Sequence, residues 1–338
     1  MAAPDPLSST GPADTGVLRL AEPEFSLAGA TAWLNSPPLT GADLRGRVVL
    51  VEFWTYTCIN WLRQLPYVRA WADAYRSSGL VVVGVHSPEF PFERDVAEVR
   101  RAAQARSMHF PIAVDDDFAV WRSFANSFWP ALYLLDASGR LRHHSVGEGG
   151  YEETEAVIRQ LLTEAGAGEL GPAPVVDARG VEAAADWATL RSAETHLGLD
   201  RMSGFASSPR VVPDRPHVYS APEVLPFGHW AVAGDWTVGP ESSVADEPGG
   251  RLRCRFHARD LHLVMAPAVR GSSVRFRVLL DGAPPGADHG LDVDPSGNGT
   301  LVEPRLHQLV RRRGTVTEST LEIEFLDAGA SVFAFTFG

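Results

Sequence analysis

Cys58 is the residue of this sequence best placed to do chemistry. It follows the run VVLVEFW, residues 48–54, in which nearly every side chain is apolar. Such a run is typical of a strand that is buried on both faces. A helix is predicted to begin at once, with Thr57 as its cap and Cys58 in its first turn. Unpaired N–H groups and the helix dipole favour a thiolate there, so we expect a lowered pKa and a reactive thiol.

Glu52 is the second candidate, because it lies inside the predicted buried strand six residues before Cys58. A carboxyl group that is buried without a cationic partner has a raised pKa. At neutral pH such a group could move protons to and from a nearby thiol. A structural hydrogen bond into the helix or to Tyr56 is the alternative role.

Three segments identify a family. WTYTCINW at 54–61 resembles the WTYxCINC segment of thioredoxin-like proteins of the TlpA and DipZ type, and WPA at 129–131 and GEGGYEETE at 147–155 match the same proteins. The resemblance implies a thioredoxin fold over about residues 25–165, chemistry by a Cys-x-x-Cys pair, and a cis proline facing the catalytic cysteine. This sequence departs from the family at the second cysteine, where Trp61 stands. Cys58 therefore lacks the usual local disulfide partner.

The resemblance also implies an aromatic substrate pocket around Cys58. Rings of this kind bind an apolar or flat ligand and exclude water. Trp61 would stand on an exposed helix turn, where contact with a ligand is one reason for a large ring and ordinary packing is the other. The predicted pocket residues are Trp54, Tyr56, Trp61, Trp129 and Pro130.

The elements that must position these residues follow the thioredoxin order of strand, helix, strand, helix, two further strands and a last helix. An opening hairpin is expected before the central strand, and the acidic triplet at 115–117 is predicted to begin a helix rather than to bind a metal. The predicted strands are 48–54, 80–86, 131–136 and 141–147, and the predicted helices are 58–77, 92–107 and 151–164, with Pro66 inside the first.

The second half of the chain reads as an antiparallel β-sandwich, because strand-length runs alternate with turns. In RLRCRF, residues 251–256, arginines alternate with apolar residues, so Cys254 is predicted to be a core thiol rather than a partner of Cys58. The DipZ resemblance continues here and implies a jelly-roll sandwich like a carbohydrate-binding module. The predicted fold class is α/β followed by all-β: a disordered segment at 1–24, a thioredoxin-like domain at 25–165, a connector at 166–216 with a short helix at 181–191, and the sandwich at 217–338.

Metal and sugar sites find less support in the sequence. A string of the type D-x-D-x-S-G-x5-E matches a calcium loop, but no helices flank it and a tight turn explains the same residues. No metal or other bound cofactor is therefore predicted. A sugar platform would need exposed aromatic side chains, which spacing cannot distinguish from core residues. The calcium candidates are Asp292, Asp294, Ser296 and Glu303, and the aromatic side chains are Tyr219, Phe227, Trp230 and Trp236.

Composition excludes several function classes. The net charge is −12, and all 30 basic residues are arginine. This balance argues against nucleic acid and anionic membranes as partners, and the lack of lysine excludes Schiff-base chemistry on this chain. Two cysteines are too few for a disulfide-stapled secreted scaffold. The opening residues have no leader pattern and no apolar run approaches 18 residues, so a cytoplasmic location is expected.

These patterns lead to one main hypothesis and several alternatives. Cys58 would act as a lone nucleophile on a disulfide, a persulfide or an electrophilic metabolite, with a low-molecular-weight thiol as co-substrate and Glu52 moving protons. Ordinary dithiol reductase activity is not expected. The alternatives are a non-catalytic ligand- or partner-binding protein and a biosynthetic enzyme that uses the same pocket without redox turnover. A one-cysteine peroxidase is a weaker alternative, suggested by Thr55 three residues before Cys58.

Overall fold

The computed structural model of the chain describes residues 25–338, so the predicted disordered segment at 1–24 lies outside the described residues. Its first domain is a six-stranded mixed sheet in the order β1-β4-β3-β2-β5-β6, flanked by helices. The elements are β1 Ala32–Leu34, α1 Gly41–Leu44, β2 Val48–Trp54, α2 Ile59–Tyr75, β3 Leu80–His86, α3 Val96–Ala105, β4 Ile112–Val114, α4 Ala119–Ser123, β5 Ala131–Leu135, β6 Leu141–Val146 and α5 Tyr151–Glu164, with 3-10 turns at Arg76–Ser78 and Pro91–Arg94.

The central strand β2 organises this domain as predicted. All seven of its residues are buried, and it pairs in parallel with β3 and antiparallel with β5. The parallel register sets Trp54 opposite His86, so the carboxyl ends of β2 and β3 lie side by side. Loops that leave this edge carry the residues of the candidate site. The strands at β3, β5 and β6, the helix α5 and the proline inside α2 are likewise confirmed.

The predicted opening hairpin is wrong. β1 pairs instead with β4, at the edge of the sheet, through a sequence separation of about 80 residues. The amide of Asn35, just after β1, donates to the carbonyls of Met108 and Phe110 at 2.9 and 3.0 Å. These long-range bonds give the segment more partners than a local hairpin would, because β4 has a free edge.

The acidic triplet begins a helix, as predicted. The Asp115 carboxylate accepts hydrogen bonds from the backbone N–H groups of Val120 and Trp121, both at 2.8 Å. These donors belong to the first turn of α4, which has no earlier carbonyl to bind. The triplet is therefore a helix terminus and not a metal site.

The second domain is built from eleven antiparallel strands that curl into two layers. β9 serves both layers, since its first half pairs with β11 and its second half with β8 and β10, with the bend at Gly234 where φ is +93°. The strands are β7 Thr195–His196, β8 His217–Tyr219, β9 Trp230–Val238, β10 Ser243–Ala245, β11 Arg251–Phe256, β12 Asp260–Pro267, β13 Val274–Leu280, β14 Asn298–Leu301, β15 Arg305–Arg311, β16 Ser319–Phe325 and β17 Ala330–Phe337.

The connector is more closely tied to the sandwich than its sequence indicates. The helix predicted at 181–191 does not form, and a single 3-10 turn occupies Gly180–Glu182. The backbone N–H groups of Arg191 and Ser192 both donate to the carbonyl of His257, which holds this stretch against the sandwich. Strand β7 then pairs with β17, so part of the connector belongs to the sheet.

Cys254 lies in the sandwich core with 2% of its surface exposed, as predicted. Three of the four aromatic side chains that could have formed a sugar platform are also core residues, namely Tyr219, Trp230 and Trp236. Phe227 is the exposed one. These rings therefore do not form an aromatic platform on the sandwich surface.

The two domains share a core. Side chains of β12, β15 and β17 join the hydrophobic cluster that surrounds α2, and Phe333 packs against Phe90 and Phe92 with ring centroids 5.1 and 4.9 Å apart. The guanidinium of Arg63, in α2, donates to the carbonyl of Phe337 at 3.3 Å. No helix among residues 25–338 has the length and apolar character that crossing a bilayer requires.

Candidate functional site

Cys58 lies at the junction between β2 and α2, at the edge where the carboxyl ends of the parallel strands meet. It is the N-cap residue of α2, and its carbonyl accepts from the N–H of Leu62 at 3.0 Å. Its sulfur donates to the carbonyl of Trp129 at 3.9 Å. The Trp129–Pro130 peptide is cis, as the family resemblance implied. The sulfur therefore faces the loop that precedes β5, in the arrangement expected of a thioredoxin fold.

The predicted cap is wrong by one residue. Thr57 does not cap α2; its hydroxyl donates to the Glu93 carboxylate at 2.7 Å. Glu93 also accepts from the backbone N–H groups of Thr57, Glu89 and Phe90 at 3.2, 2.6 and 2.9 Å. A buried carboxylate with four donors fixes the loop before Cys58 to the 3-10 turn after β3. Sequence reasoning missed Glu93, because Thr57, which supplies two of its four donors, lies 36 residues away.

The pKa of Cys58 is raised, which overturns the prediction of a thiolate. Burial is the largest cause, and the carboxylates of Glu89 and Glu194 add to it. Backbone N–H groups of Trp61 and Asn60 act in the opposite direction, as the helix terminus predicts, but with less effect. The sequence revealed the helix terminus, whereas only the tertiary structure brings two carboxylates beside the sulfur.

Cys58 opens onto a cavity of about 220 Å³ between the two domains. Among the predicted pocket residues, Trp129 lines this cavity, while Trp54, Tyr56, Trp61 and Pro130 do not. The other side chains around the sulfur come from distant parts of the chain, which explains why spacing could not predict them. The polar ones include Asn60, Glu89, Ser192, Glu194 and Thr336, and the apolar ones include Trp187, Leu190 and Phe337.

Trp61 is buried, not exposed as predicted. Its ring stacks on Trp54 with centroids 4.5 Å apart and an interplanar angle of 23°. Position 61, which the family resemblance assigns to the second cysteine, is thus occupied by a core residue. Trp61 belongs to the hydrophobic cluster that the first domain shares with β12, β15 and β17.

Glu52 is buried as predicted, and burial raises its pKa to about 8. One carboxyl oxygen accepts from the amide of Gln64 at 3.2 Å, and the other has no partner among the described residues. The predicted proton transfer is compatible with this pKa. The hydrogen bond to Gln64, in α2, is the structural alternative, and no hydrogen bond joins Glu52 to Tyr56 within residues 25–338.

His86 was missed in the sequence, although a histidine at the carboxyl end of a buried parallel strand marks the usual site edge. Its ring stacks on Tyr56 with centroids 5.8 Å apart and meets Trp54 edge-on at 4.8 Å. Burial lowers the pKa of His86 to about 3, so the imidazole is neutral. Neither ring nitrogen, nor the Tyr56 hydroxyl, has a hydrogen-bond partner among the described residues.

One group of potential metal ligands lies beside Cys58. Oxygen or nitrogen atoms of Glu89, Glu194 and His196 lie within 4.8 Å of one another. However, the guanidinium of Arg201 already binds Glu89 at 2.9 Å and supplies the positive charge that a cation would bring. A guanidinium in this position opposes cation binding.

The calcium-like string does not form a calcium loop. Asp292 accepts from the Arg305 guanidinium at 2.6 Å and from the Gln308 N–H at 2.7 Å, and Glu303 also binds Arg305. Asp294 accepts from the Asn298 N–H at 2.8 Å, which closes the tight turn that the sequence suggested. These carboxylates are used by arginine and backbone donors and do not converge.

Known proteins share both halves of this architecture. Residues 21–144 match the model of the AhpC/TSA family, and residues 192–338 match the thioredoxin-like C-terminal domain. Protein DipZ of Mycobacterium tuberculosis (strain CDC 1551 / Oshkosh) is 34% identical over 318 residues, which are 92% of this chain and 42% of DipZ. Thiol-disulfide oxidoreductase YkuV of Bacillus subtilis is 31% identical over 147 residues, which are 44% of this chain and 99% of YkuV.

A solved thioredoxin-like protein in its oxidised form is 33% identical, covering 42% of this chain and 94% of its own, with a TM-score of 0.38. The fold and the β2–α2 site define a thioredoxin-like protein with a β-sandwich attached. The chain belongs to the family of thioredoxin-like proteins that includes DipZ and YkuV. It spans 42% of the length of DipZ, and that similarity runs through both domains.

Proposed function

We propose that the chain is a monothiol oxidoreductase or transferase in which Cys58 exchanges with external thiols. The supporting observation is the solitary sulfur of Cys58, which opens onto a cavity beside the cis-proline loop while the other thiol, Cys254, lies in a separate core. The family's second cysteine is replaced by a buried tryptophan. A thiol–disulfide exchange at this site therefore needs its second thiol from solution.

The exchange has two balanced steps. The Cys58 thiolate attacks one sulfur of a disulfide, forms a mixed disulfide and releases the other sulfur as a thiolate, which takes up a proton. A small thiol then loses its proton and attacks the mixed disulfide, which restores Cys58 and releases a new disulfide. Because the raised pKa keeps Cys58 protonated, a base must accept its proton first. Glu194, in the same cavity with a pKa raised to about 7 mainly by burial, could take this role alongside the predicted Glu52.

A direct test uses 2-hydroxyethyl disulfide as substrate and glutathione as the external thiol. We expect the native protein and the Cys254→Ser variant to form one mixed disulfide and to turn over glutathione. The Cys58→Ser variant should do neither. Turnover that survives in Cys58→Ser, or a native protein that forms no adduct, would contradict the proposal.

A second test asks whether the missing thiol limits the chemistry. Trp61→Cys restores the Cys-x-x-Cys spacing and should give a disulfide with Cys58 and insulin-reducing activity, which we expect the native chain to lack. The lost ring should cost about 3–5 kcal/mol of stability. Trp61→Ser is the matched control, because it leaves the same cavity without a thiol. Equal activity in the two variants would contradict the dithiol interpretation.

A non-catalytic binding protein is the second candidate, and the raised pKa of Cys58 is the observation that favours it. In that case the mixed disulfide would form slowly and would not be released by glutathione. The predicted cytoplasmic location and the absence of a bound cofactor stay predictions under both candidates.

A further inference from the structure

A second cavity, of about 380 Å³, lies between the two domains on the side of α3. Its apolar lining includes Ala102 and Ala105 of α3 and Pro304 of the loop between β14 and β15. Tyr56 and Trp61 also line it, although both were predicted to face Cys58. Cys58 itself is not part of this lining. The cavity is therefore distinct from the thiol site and has the size and mixed lining of a small-molecule site.

One polar group in this lining lacks a partner. The Tyr56 hydroxyl is buried and makes no hydrogen bond within residues 25–338. The Trp61 indole N–H, by contrast, lies against the Glu52 carboxyl and lowers its pKa slightly. Buried polar groups in folded proteins are nearly always paired, because an unpaired donor costs free energy. A ligand that brings an oxygen acceptor into the cavity would satisfy the Tyr56 hydroxyl.

Of the three arginines in this lining, Arg106 has the most distant carboxylate partner. Arg101 pairs with Glu98, and Arg305 pairs with Glu303 at 3.0 Å. Arg106 has its carboxylate partner, Glu182, only at 3.8 Å.

Glu182 is already bound by Arg69 at 2.8 Å. Burial lowers the pKa of Arg106, the Glu182 carboxylate opposes this in part, and the positive charges of Arg305 and Arg69 lower the pKa further. An anion at this point would therefore gain more from Arg106 than from the paired arginines.

We propose that this cavity binds a small monocarboxylate with an aromatic or aliphatic body. The carboxylate contacts the guanidinium of Arg106, the body packs against Ala102, Ala105 and Pro304, and an oxygen of the ligand accepts from the Tyr56 hydroxyl. The arginines repel cationic ligands, and a neutral ligand cannot form an ion pair with the Arg106 guanidinium. This binding does not depend on Cys58.

The test is calorimetric titration of the full chain with three probes that share one aromatic body and carry an anionic, a neutral or a cationic terminal group. They are 3-(4-hydroxyphenyl)propanoate, the corresponding 3-(4-hydroxyphenyl)propan-1-ol, and 3-(4-hydroxyphenyl)propylamine. We expect the carboxylate to bind about ten- to a hundredfold more tightly than the alcohol, which is the range of a charge-assisted hydrogen bond. The amine should bind least well.

Variants assign the contact. Arg106→Gln should remove most of the preference for the carboxylate, while Arg106→Lys should keep part of it. Arg100→Gln, on the exposed side of the same helix, is the matched control and should bind as the native chain does. Tyr56→Phe should weaken binding severalfold without lowering the melting temperature, because it deletes an unpaired hydroxyl.

The outcomes separate this proposal from the thiol chemistry. Binding that persists in Cys58→Ser supports an independent ligand site, whatever the result of the thiol-exchange assay. Equal affinity for the three probes, unchanged affinity in Arg106→Gln, or no saturable binding of the carboxylate at about 10 mM would overturn it. A Tyr56→Phe variant that loses stability but keeps its affinity would also overturn it.

Discussion

At the scale of single residues, the ionisation of Cys58 is decided by competing effects. The helix terminus favours the thiolate, as the sequence predicts, but burial and two carboxylates oppose it more strongly. Because its pKa is raised, the Cys58 thiol reacts only after another group has taken its proton. Thioredoxin-fold sites commonly use a low thiol pKa, which burial and the two carboxylates oppose in this chain.

The first prediction concerns the alkylation of Cys58 by iodoacetamide in a Cys254→Ser background. The rate should keep rising above pH 9, beyond the midpoint of about 8.5 for a free thiol. Glu89→Gln removes the larger of the two carboxylate effects, so it should raise the rate at pH 8 by up to about tenfold, one pKa unit being tenfold in thiolate population. Glu153→Gln, an exposed glutamate of α5, is the control. A midpoint below that of a free thiol would refute the raised pKa.

At the scale of elements, β2 and α2 hold the site together through buried polar groups. Glu52 of β2 binds Gln64 of α2 in a region without water-accessible surface. The raised pKa means that the folded protein keeps this carboxyl protonated where the unfolded chain ionises it. The contact between the two elements is therefore sensitive to pH.

The second prediction concerns how the raised pKa of Glu52 makes the stability of the fold depend on pH. The folded state binds the extra proton between about pH 4.5 and 8, so the contribution of Glu52 to stability is full below this range and is lost as the pH rises through it. From pH 6.5 to 8 the loss should be about 2 kcal/mol. Glu52→Gln should reduce the slope of stability against pH by this amount in denaturant unfolding, whereas Glu153→Gln should keep the full slope. A smaller slope should remain in Glu52→Gln, because burial also raises the pKa values of Glu93 and Glu194 to about 7. An unchanged slope in Glu52→Gln would show that this carboxyl is ionised in the fold.

At the scale of the whole molecule, the two domains share buried side chains. Phe333 of β17 packs against both Phe90 and Phe92 of the thioredoxin-like domain, and Arg201 pairs with Glu89 across the same interface. Both cavities described above lie along this interface. The C-terminal domain is thus part of each site and not a separate module.

The third prediction tests this coupling. Native protein should unfold in a single transition that is the same by near-UV circular dichroism and by limited proteolysis. Phe333→Ala should cost about 3–5 kcal/mol and separate the unfolding of the two domains. Phe276→Ala, in the core of the sandwich alone, is the matched control with a similar loss of buried ring. Identical unfolding profiles for the two variants would show that Phe333 does not couple the domains.

The sequence by itself determined the order of elements in the first domain, the burial of β2 and Glu52, the core position of Cys254 and the departure from the Cys-x-x-Cys pattern. These features depend on local periodicity and on residue types, which the sequence displays directly. Tertiary structure alone decided the pairing of β1, the burial of Trp61 and the raised pKa of Cys58. The pairing of β1 depends on β4, about 80 residues away, and the pKa of Cys58 depends on Glu89 and Glu194. Trp61 is buried in a cluster that draws side chains from both domains. Short-range spacing carries no information about such contacts. Burial and charge act through space, so the ionisation of the one accessible thiol had to come from the fold.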